Sequence, residues 1–196
     1  MKEIEAKFYP VNPEELRSKL LEIGAEKTQE RTRYYSTIYH LPEDEERQKW
    51  VRVRDEAGKI NMTYKDDSNN SLSGTIEYGL ENNDSEIAHQ FLLALGLTKT
   101  RYQEKDREIW RHDGVEIVID WWPWLEPLCE VEADSEAKVI NTCRNLDLNL
   151  KGAFYGGTGR IYQQVYGLQF KEHVLKNIGK LVFNGHNPFN NSTHED

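Results

Sequence analysis

The chain opens MKEIEAKFYP, where Glu3, Glu5 and Lys7 interleave with Ile4, Ala6 and Phe8. A period of two is that of a β-strand, so the charges fall on one face and the apolar residues on the other. The alternation recurs along the chain. In WVRVRD, Arg52 and Arg54 alternate with Val51 and Val53; in NMTYKD, Thr63 and Lys65 alternate with Met62 and Tyr64. EIVID sets Ile117 and Ile119 against Glu116, Val118 and Asp120, LCEVEA sets Cys129, Val131 and Ala133 against Glu130 and Glu132, and QEKDREIW adds Lys105 and Arg107. A single strand of this kind is an ordinary amphipathic strand with a solvated face. The set constrains more, because its charges are sorted into acidic and basic doublets. Like charges two apart on one strand repel, so sorted doublets require a compensating partner. A divalent cation compensates acids and a polyanion compensates bases. A metal-complexed polyphosphate supplies both.

The residue types suit that ligand. Mg²⁺ takes carboxylate oxygens and water and commonly enters a site with phosphate oxygens. Arginine offers phosphate a planar fork and lysine a compact point charge. Faces carrying such charges can be enclosed only if they are nearly balanced, since isolated buried charges are very unfavourable. The sequence therefore predicts that both faces of the opening strand are buried, the apolar face outward under helices and the charged face inward.

The remaining elements follow from punctuation. Strands are predicted at 2–9, RYYSTIYHL, WVRVRDE, KINMTYKD, SGTIEYGLE, about 99–111, GVEIVIDWW and PLCEVEA. Asn12 caps a helix that has Pro13 at its first position, Glu15 completing the cap, an apolar stripe of Leu16, Leu20 and Ile23, and Gly24 as its stop. DSEIAHQFLLALGL gives a second helix ending near Gly96, and a third runs from about 135 to 147. RIYQQVYGL and KEHVLKNIGKL read as short helices. Strands in groups favour an antiparallel α+β domain over a parallel doubly wound sheet. Eight strands can close into a β-barrel that accepts side chains or one small ligand. Residues 1–183 read as one domain and 184–196 as a polar C-terminal tail.

Composition excludes other classes. Of 196 residues, 34 are Asp or Glu and 25 are Lys or Arg, a balance that argues against broad nucleic-acid or anionic-membrane binding. The charged opening residues and the absence of an apolar run near ~18 residues predict no signal peptide and no membrane span, hence a cytoplasmic protein. Cys129 and Cys143 lack CxxC spacing and read as ordinary thiols; the six histidines lack zinc spacing. GGTG at 156–159 lacks the Lys-Ser/Thr ending of a phosphate loop and reads as a turn. Trp121, Trp122 and Trp124 read as cover for a mouth or as helix packing, ahead of stacking on a base or thiamine ring; Tyr34 and Tyr35 read as strand packing.

Glu3-x-Glu5-x-Lys7 resembles the signature of the CYTH superfamily, the triphosphate tunnel metalloenzymes, of the bacterial single-domain type. The order of the other motifs agrees: Arg52-Val-Arg54, Lys65, Glu77, Lys105-Asp-Arg107, Asp120 and Glu130-Val-Glu132. The likeness runs from residue 3 to about 132 and is looser beyond 135. It implies an eight-stranded antiparallel tunnel with helices outside, holding triphosphate and Mg²⁺ or Mn²⁺. By resemblance, Glu3, Glu5, Asp120, Glu130 and Glu132 bind metal or orient water, with Glu3, Glu5 and Lys7 at the chemistry. Lys7, Arg52, Arg54, Lys65, Lys105 and Arg107 hold phosphate oxygens. Glu77 is a secondary position, serving a second metal or pairing with a base; Arg160 either reaches the tunnel or, the preferred reading, is a surface arginine. The implied activity is metal-dependent hydrolysis of inorganic triphosphate or another small triphosphate. The alternatives are a class IV adenylate cyclase and a non-catalytic polyphosphate or nucleotide sensor. Closed tunnels of this kind also carry the expectation of a homodimer formed through outer surfaces.

Overall fold

The alternating segments pair into a ring. In the computed structural model, which describes residues 2–44, 48–67, 71–168 and 178–189, the first elements are β1 (Lys2–Phe8), α1 (Pro13–Glu22), β2 (Glu26–His40), β3 (Lys49–Glu56), β4 (Lys59–Asp66) and β5 (Thr75–Asn82). These are followed by α2 (Ser85–Ala94), β6 (Thr98–His112), β7 (Val115–Trp121), β8 (Leu128–Ala133), α3 (Glu136–Asn145), α4 (Gly159–Val165) and β9 (Lys180–Leu181). The sheet order β2-β3-β4-β5-β1-β8-β7-β6 is closed by a β2–β6 ladder, and these eight strands pair antiparallel throughout. The fold is the expected eight-stranded antiparallel barrel with helices packed outside.

Two boundaries differ from the sequence reading. β2 starts at Glu26, well before Arg33, because EKTQERT lacks apolar alternation yet pairs along β6 from Glu26↔Arg111 to Thr32↔Arg107. KEHVLKNIGKL was expected as a helix; residues 171–177 lie outside the described residues, and its end forms β9. That strand lies parallel to β6 at Tyr102–Gln103 and buries Leu181 completely.

The ring has one short seam. β1 meets β5 only at Lys2↔Ile76 and Glu3↔Thr75. Beyond it, the Glu5 amide donates to the Leu72 carbonyl at 3.1 Å, and Lys7 and Phe154 exchange backbone bonds of 3.0 and 2.8 Å. The turn before β5 and the segment after α3 therefore seal the wall beside β1.

Apolar faces point outward and are covered by helices. Ala6, Phe8, Ile117, Ile119, Cys129 and Val131 pack with Leu16 and Leu20 of α1 and Val139 and Cys143 of α3. Asn12 caps α1 by accepting from the Glu14 and Glu15 amides at 3.0 and 3.4 Å, and Gly24 ends it with φ +78°, a left-handed turn that favours glycine. α2 seats Ala88 and Leu92 on Tyr39 and Val53. α4 contributes Ile161 and Tyr162 to a third cluster with Trp122, Leu128 and Leu181. Phe189, within the segment read as a polar tail, is buried there too, its ring centroid 4.6 Å from that of Tyr166. Among the described residues, no helix is long and apolar enough to cross a membrane.

Candidate active site

Register decides which charges meet inside the ring. Between β1 and β8, Glu5 stands opposite Glu132 and Lys7 opposite Glu130. Between β8 and β7, Glu132 stands opposite Glu116; between β7 and β6, Asp120 stands opposite Arg107. Across the ring, Lys65 of β4 stands opposite Glu77 of β5, and Arg54 of β3 opposite Asn61 of β4. Glu5, Lys7, Arg54, Lys105 and Asp120 are each 0–7% exposed, so the charged face is enclosed as well as the apolar one. Glu3 takes its place in β1 opposite Thr75, and its side chain lies outside the described residues.

Most of these charges form one network. Lys7 pairs with Glu5 and, at 3.7 Å, with Glu130. Arg107 reaches Glu130 Oε2 at 2.5 Å and grips Asp120 through Nε and Nη2 at 2.7 and 2.6 Å. Lys105 Nζ adds a 2.8 Å bond to Asp120 Oδ2, so both oxygens of this fully buried carboxylate are held by cations. On the other wall, Lys65 pairs with Glu77 at 2.7 Å and Arg54 with Glu56 at 2.9 Å. Arg52 lies beside them on β3, half-buried.

The electrostatic balance follows from the groups sharing one interior. Burial would raise the Glu130 carboxyl, but Lys7, Arg107, Lys105 and Lys65 outweigh it and hold the group well below the usual carboxylate range. Burial, reinforced by neighbouring Arg107 and Arg54, pushes the Lys105 ammonium well down despite Asp120. Burial also opposes the charge of Arg107, yet Asp120 and Glu130 reverse the balance and hold its guanidinium firmly protonated. The interior is thus a crowd of cations whose charge depends on nearby anions.

Several inner residues escaped the sequence reading. Glu56 accepts from Arg54 and, at 2.8 Å, from Asn61 Nδ2; it stands alone at a strand end, so no doublet marked it. Glu116 was placed on the correct face but not among the candidate ligands. Asp67 accepts from Thr75 Oγ1 at 2.9 Å, and burial raises its carboxyl against the pull of Lys65 and Lys7. A Cβ on Gly157 would stand 3.2 Å from Asp67 Oδ2, so GGTG is a turn closing over that carboxylate, as its lack of a phosphate-loop ending implied. Tyr34, read as packing, is buried on the inner wall with Arg54 5.7 Å from its ring centroid, whereas Tyr35 is exposed. Trp122 turns inward beneath Lys105, at 5.5 Å, while Trp121 carries Arg31 at 4.2 Å outside. Arg160 belongs to α4, is half-buried, and lines a pocket of about 260 Å³ with Phe154, Tyr155 and Gln163, its Nε beside the same Gly156 that faces Asp67.

The donor set suits both halves of the predicted ligand. Glu5, Glu132 and Glu116 form a row across three adjacent strands, where opposed like charges are destabilising unless cations lie near; Lys7 answers Glu5, and Arg111 reaches Glu116 at 2.8 Å. Their oxygens are hard ligands of the type that magnesium and manganese take. Among the described residues, the carboxylates spread onto neighbouring lysines and arginines and do not close on one point. For the anion, Arg54 Nε is buried and makes no hydrogen bond among the described residues, a donor still available to an acceptor.

The pattern of the CYTH domain matches residues 1–148. No curated protein sequence matches the chain significantly. Solved structures share the fold at low identity. The PH1012 protein of Pyrococcus horikoshii is 23% identical with a TM-score of 0.66, over 77% of this chain and 93% of its own. A protein of Vibrio parahaemolyticus provisionally assigned as an adenylate cyclase is 15% identical with a TM-score of 0.70, over 83% and 98%. HpAC1 of Hippeastrum, described as having a dominant triphosphatase activity, is 12% identical with a TM-score of 0.56, over 86% and 98%.

Proposed function

Because the chain belongs to the CYTH domain family, we propose that its tunnel is the active site of a divalent-metal-dependent hydrolase acting on inorganic triphosphate or another compact triphosphate. The observation that carries this reading is the enclosed network in which Lys7 and Arg107 meet on Glu130 while Lys105 and Arg107 meet on Asp120, with Lys65 paired to Glu77 on the facing wall. Cations drawn from several strands into one enclosed space match a ligand carrying several negative charges. The activity described for the Hippeastrum protein is consistent with it.

In this reading Lys7, Lys65, Lys105, Arg107, Arg52 and Arg54 hold phosphate oxygens, replacing carboxylate partners as the anion enters. Arg54, clamped by Glu56, presents its free Nε to the chain of phosphates. Asp120 keeps Lys105 and Arg107 aimed inward. Glu5, Glu130 and Glu132, with Glu3 and Glu116, hold Mg²⁺ or Mn²⁺. The metal, when bound, neutralises charge developing on the phosphate oxygens. The protein's own contribution is positioning and preorganised electrostatics, the main resources of phosphoryl transfer.

The test is product analysis. Purified protein is incubated with triphosphate, thiamine triphosphate or ATP and either metal. Release of phosphate from triphosphate, absent without metal, is the expected result. Cyclic AMP and pyrophosphate from ATP would replace the hydrolase by a cyclase, and binding without turnover would leave a sensor.

A further inference from the structure

Arg54 Nε is not alone among buried donors without a hydrogen bond. The indole nitrogen of Trp122 is another among the described residues. Trp122 is only 8% exposed, and its N–H is shut off from solvent. Buried N–H groups are almost always bonded, so an orphaned one calls for a reason.

Its place follows from the end of β7. Asp120 points into the tunnel, where it meets Lys105, and Trp121 points out, where Arg31 lies over its ring. Pro123 disfavours a helical turn at the residue before it and favours extended backbone there. The alternation of faces thus carries on for one residue past the strand. Trp122 falls on the Asp120 side, with Lys105 Nζ 5.5 Å from its ring centroid. The ring also packs with Leu128, Ile161, Tyr162 and Leu181. Acceptors of the surrounding residues are engaged elsewhere. Both oxygens of Asp120 hold Lys105 and Arg107. The Pro123 carbonyl accepts from the Tyr162 hydroxyl at 2.7 Å, and the Trp124 carbonyl from the Tyr166 hydroxyl at 2.5 Å.

We propose that Trp122 is a substrate-binding residue, its indole N–H donating to a phosphate oxygen that Lys105 also holds. The inference rests on the hydrolase reading above and adds to it a donor that no charged motif marks. An anionic oxygen suits the position better than a carbonyl or a hydroxyl, because the Lys105 ammonium lies over the same ring and Arg107 shares Asp120 with it. A neutral donor in turn suits a crowd of cations. A further Arg or Lys would repel Lys105 and Arg107 whenever the tunnel is empty, whereas an indole adds a bond without adding charge. Because the N–H has no partner before binding, the bond it forms with ligand displaces none within the protein.

The test uses the full chain without metal, so that inorganic triphosphate binds and is not consumed. Trp122→Phe keeps an aromatic ring in the apolar cluster and removes the N–H. Calorimetric titration should show triphosphate binding weakened about tenfold or more, the worth of one hydrogen bond to a charged group. A role confined to packing would lower the unfolding temperature and leave the affinity unchanged. The wild-type chain labelled with nitrogen-15 gives a second reading that does not depend on the variant folding. The Trp122 indole proton should move downfield on addition of triphosphate, as a donor does on gaining an acceptor. The Trp110 indole proton, already bonded to Glu108 outside the tunnel, should stay in place. A Trp122 signal that does not move at saturation, or moves only with ATP or thiamine triphosphate, would overturn the assignment and leave the hydrolase reading intact. So would an affinity unchanged in Trp122→Phe. A wild-type chain that binds no triphosphate at all would remove both.

Discussion

The two walls of the tunnel solve the same charge problem differently. On β6, β7, β8 and β1, six of the inner charges are packed into one network, Lys105–Asp120–Arg107–Glu130–Lys7–Glu5, with side chains 0–12% exposed. The outer face of that wall lies under α1 and α3. On β3, β4 and β5, the charges form separate pairs, Arg54–Glu56 and Lys65–Glu77, whose acids are 26% and 30% exposed. Its outer face is covered by α2 only as far as β4. A wall sealed on both faces must keep its charges balanced to remain folded. A wall less completely covered can give up a pair and still stand. The first is framework as much as site, and the second is free to adapt to an entering anion.

The sharpest way to break the contrast is to remove the anion that anchors the sealed wall. Asp120→Ala leaves Lys105 and Arg107 facing each other in a buried space. Removing one partner of a buried pair destabilises by about 3–5 kcal/mol. Chemical denaturation should show a loss of that size. Added triphosphate should recover part of it by binding the folded state only. A loss below ~1 kcal/mol would mean that the wall tolerates unbalanced charge and that the two walls are alike.

The second test moves to the outside of the sealed wall. Glu108 is buried under α1, accepting from Arg17 at 3.0 and 2.9 Å and from Trp110 Nε1 at 2.7 Å. Burial raises its carboxyl, but the bonds from Arg17 and Trp110 outweigh burial and hold it below its ordinary value of 4.5. A depressed folded-state value stabilises fully above the unfolded value and is lost as pH falls through the folded one. The contribution is therefore intact at neutral pH and disappears in the acid range that begins near pH 4.5. Glu108→Gln should cost about 1.5–3 kcal/mol at neutral pH and less in acid. Equal losses at both pH values would show that the carboxylate charge is not what holds α1.

How much of this was readable follows from the same division. The sealed wall was legible because its charges come as doublets at i and i+2, which survive without knowledge of the partner strand. Which acid meets which base was not legible, since Lys105 and Arg107 meeting on Asp120 depends on the β6–β7 register. Glu56 and Asp67 stand at strand ends, where period-two patterning stops. Tyr34 and Tyr35 are adjacent and chemically alike, and only the phase of β2 sends one inward and the other outward. β9 escaped because a two-residue strand has no period to detect.

The smallest expected effect on stability should be paired with a clear effect on binding. Lys65 and Glu77 are 13% and 30% exposed, so their pair resembles a partly solvated one. Lys65→Met should change stability by no more than ~1 kcal/mol, the range of such pairs. If Lys65 is one of the cations that receive phosphate, the same substitution should raise the KM for triphosphate about tenfold or more, the worth of one charge-assisted bond. Parallel denaturation and kinetics on the purified variant separate the two quantities. Unchanged KM would remove Lys65 from the anion site. A stability loss as large as that of Asp120→Ala would erase the distinction between the walls from the other side, because the open wall would then be framework too.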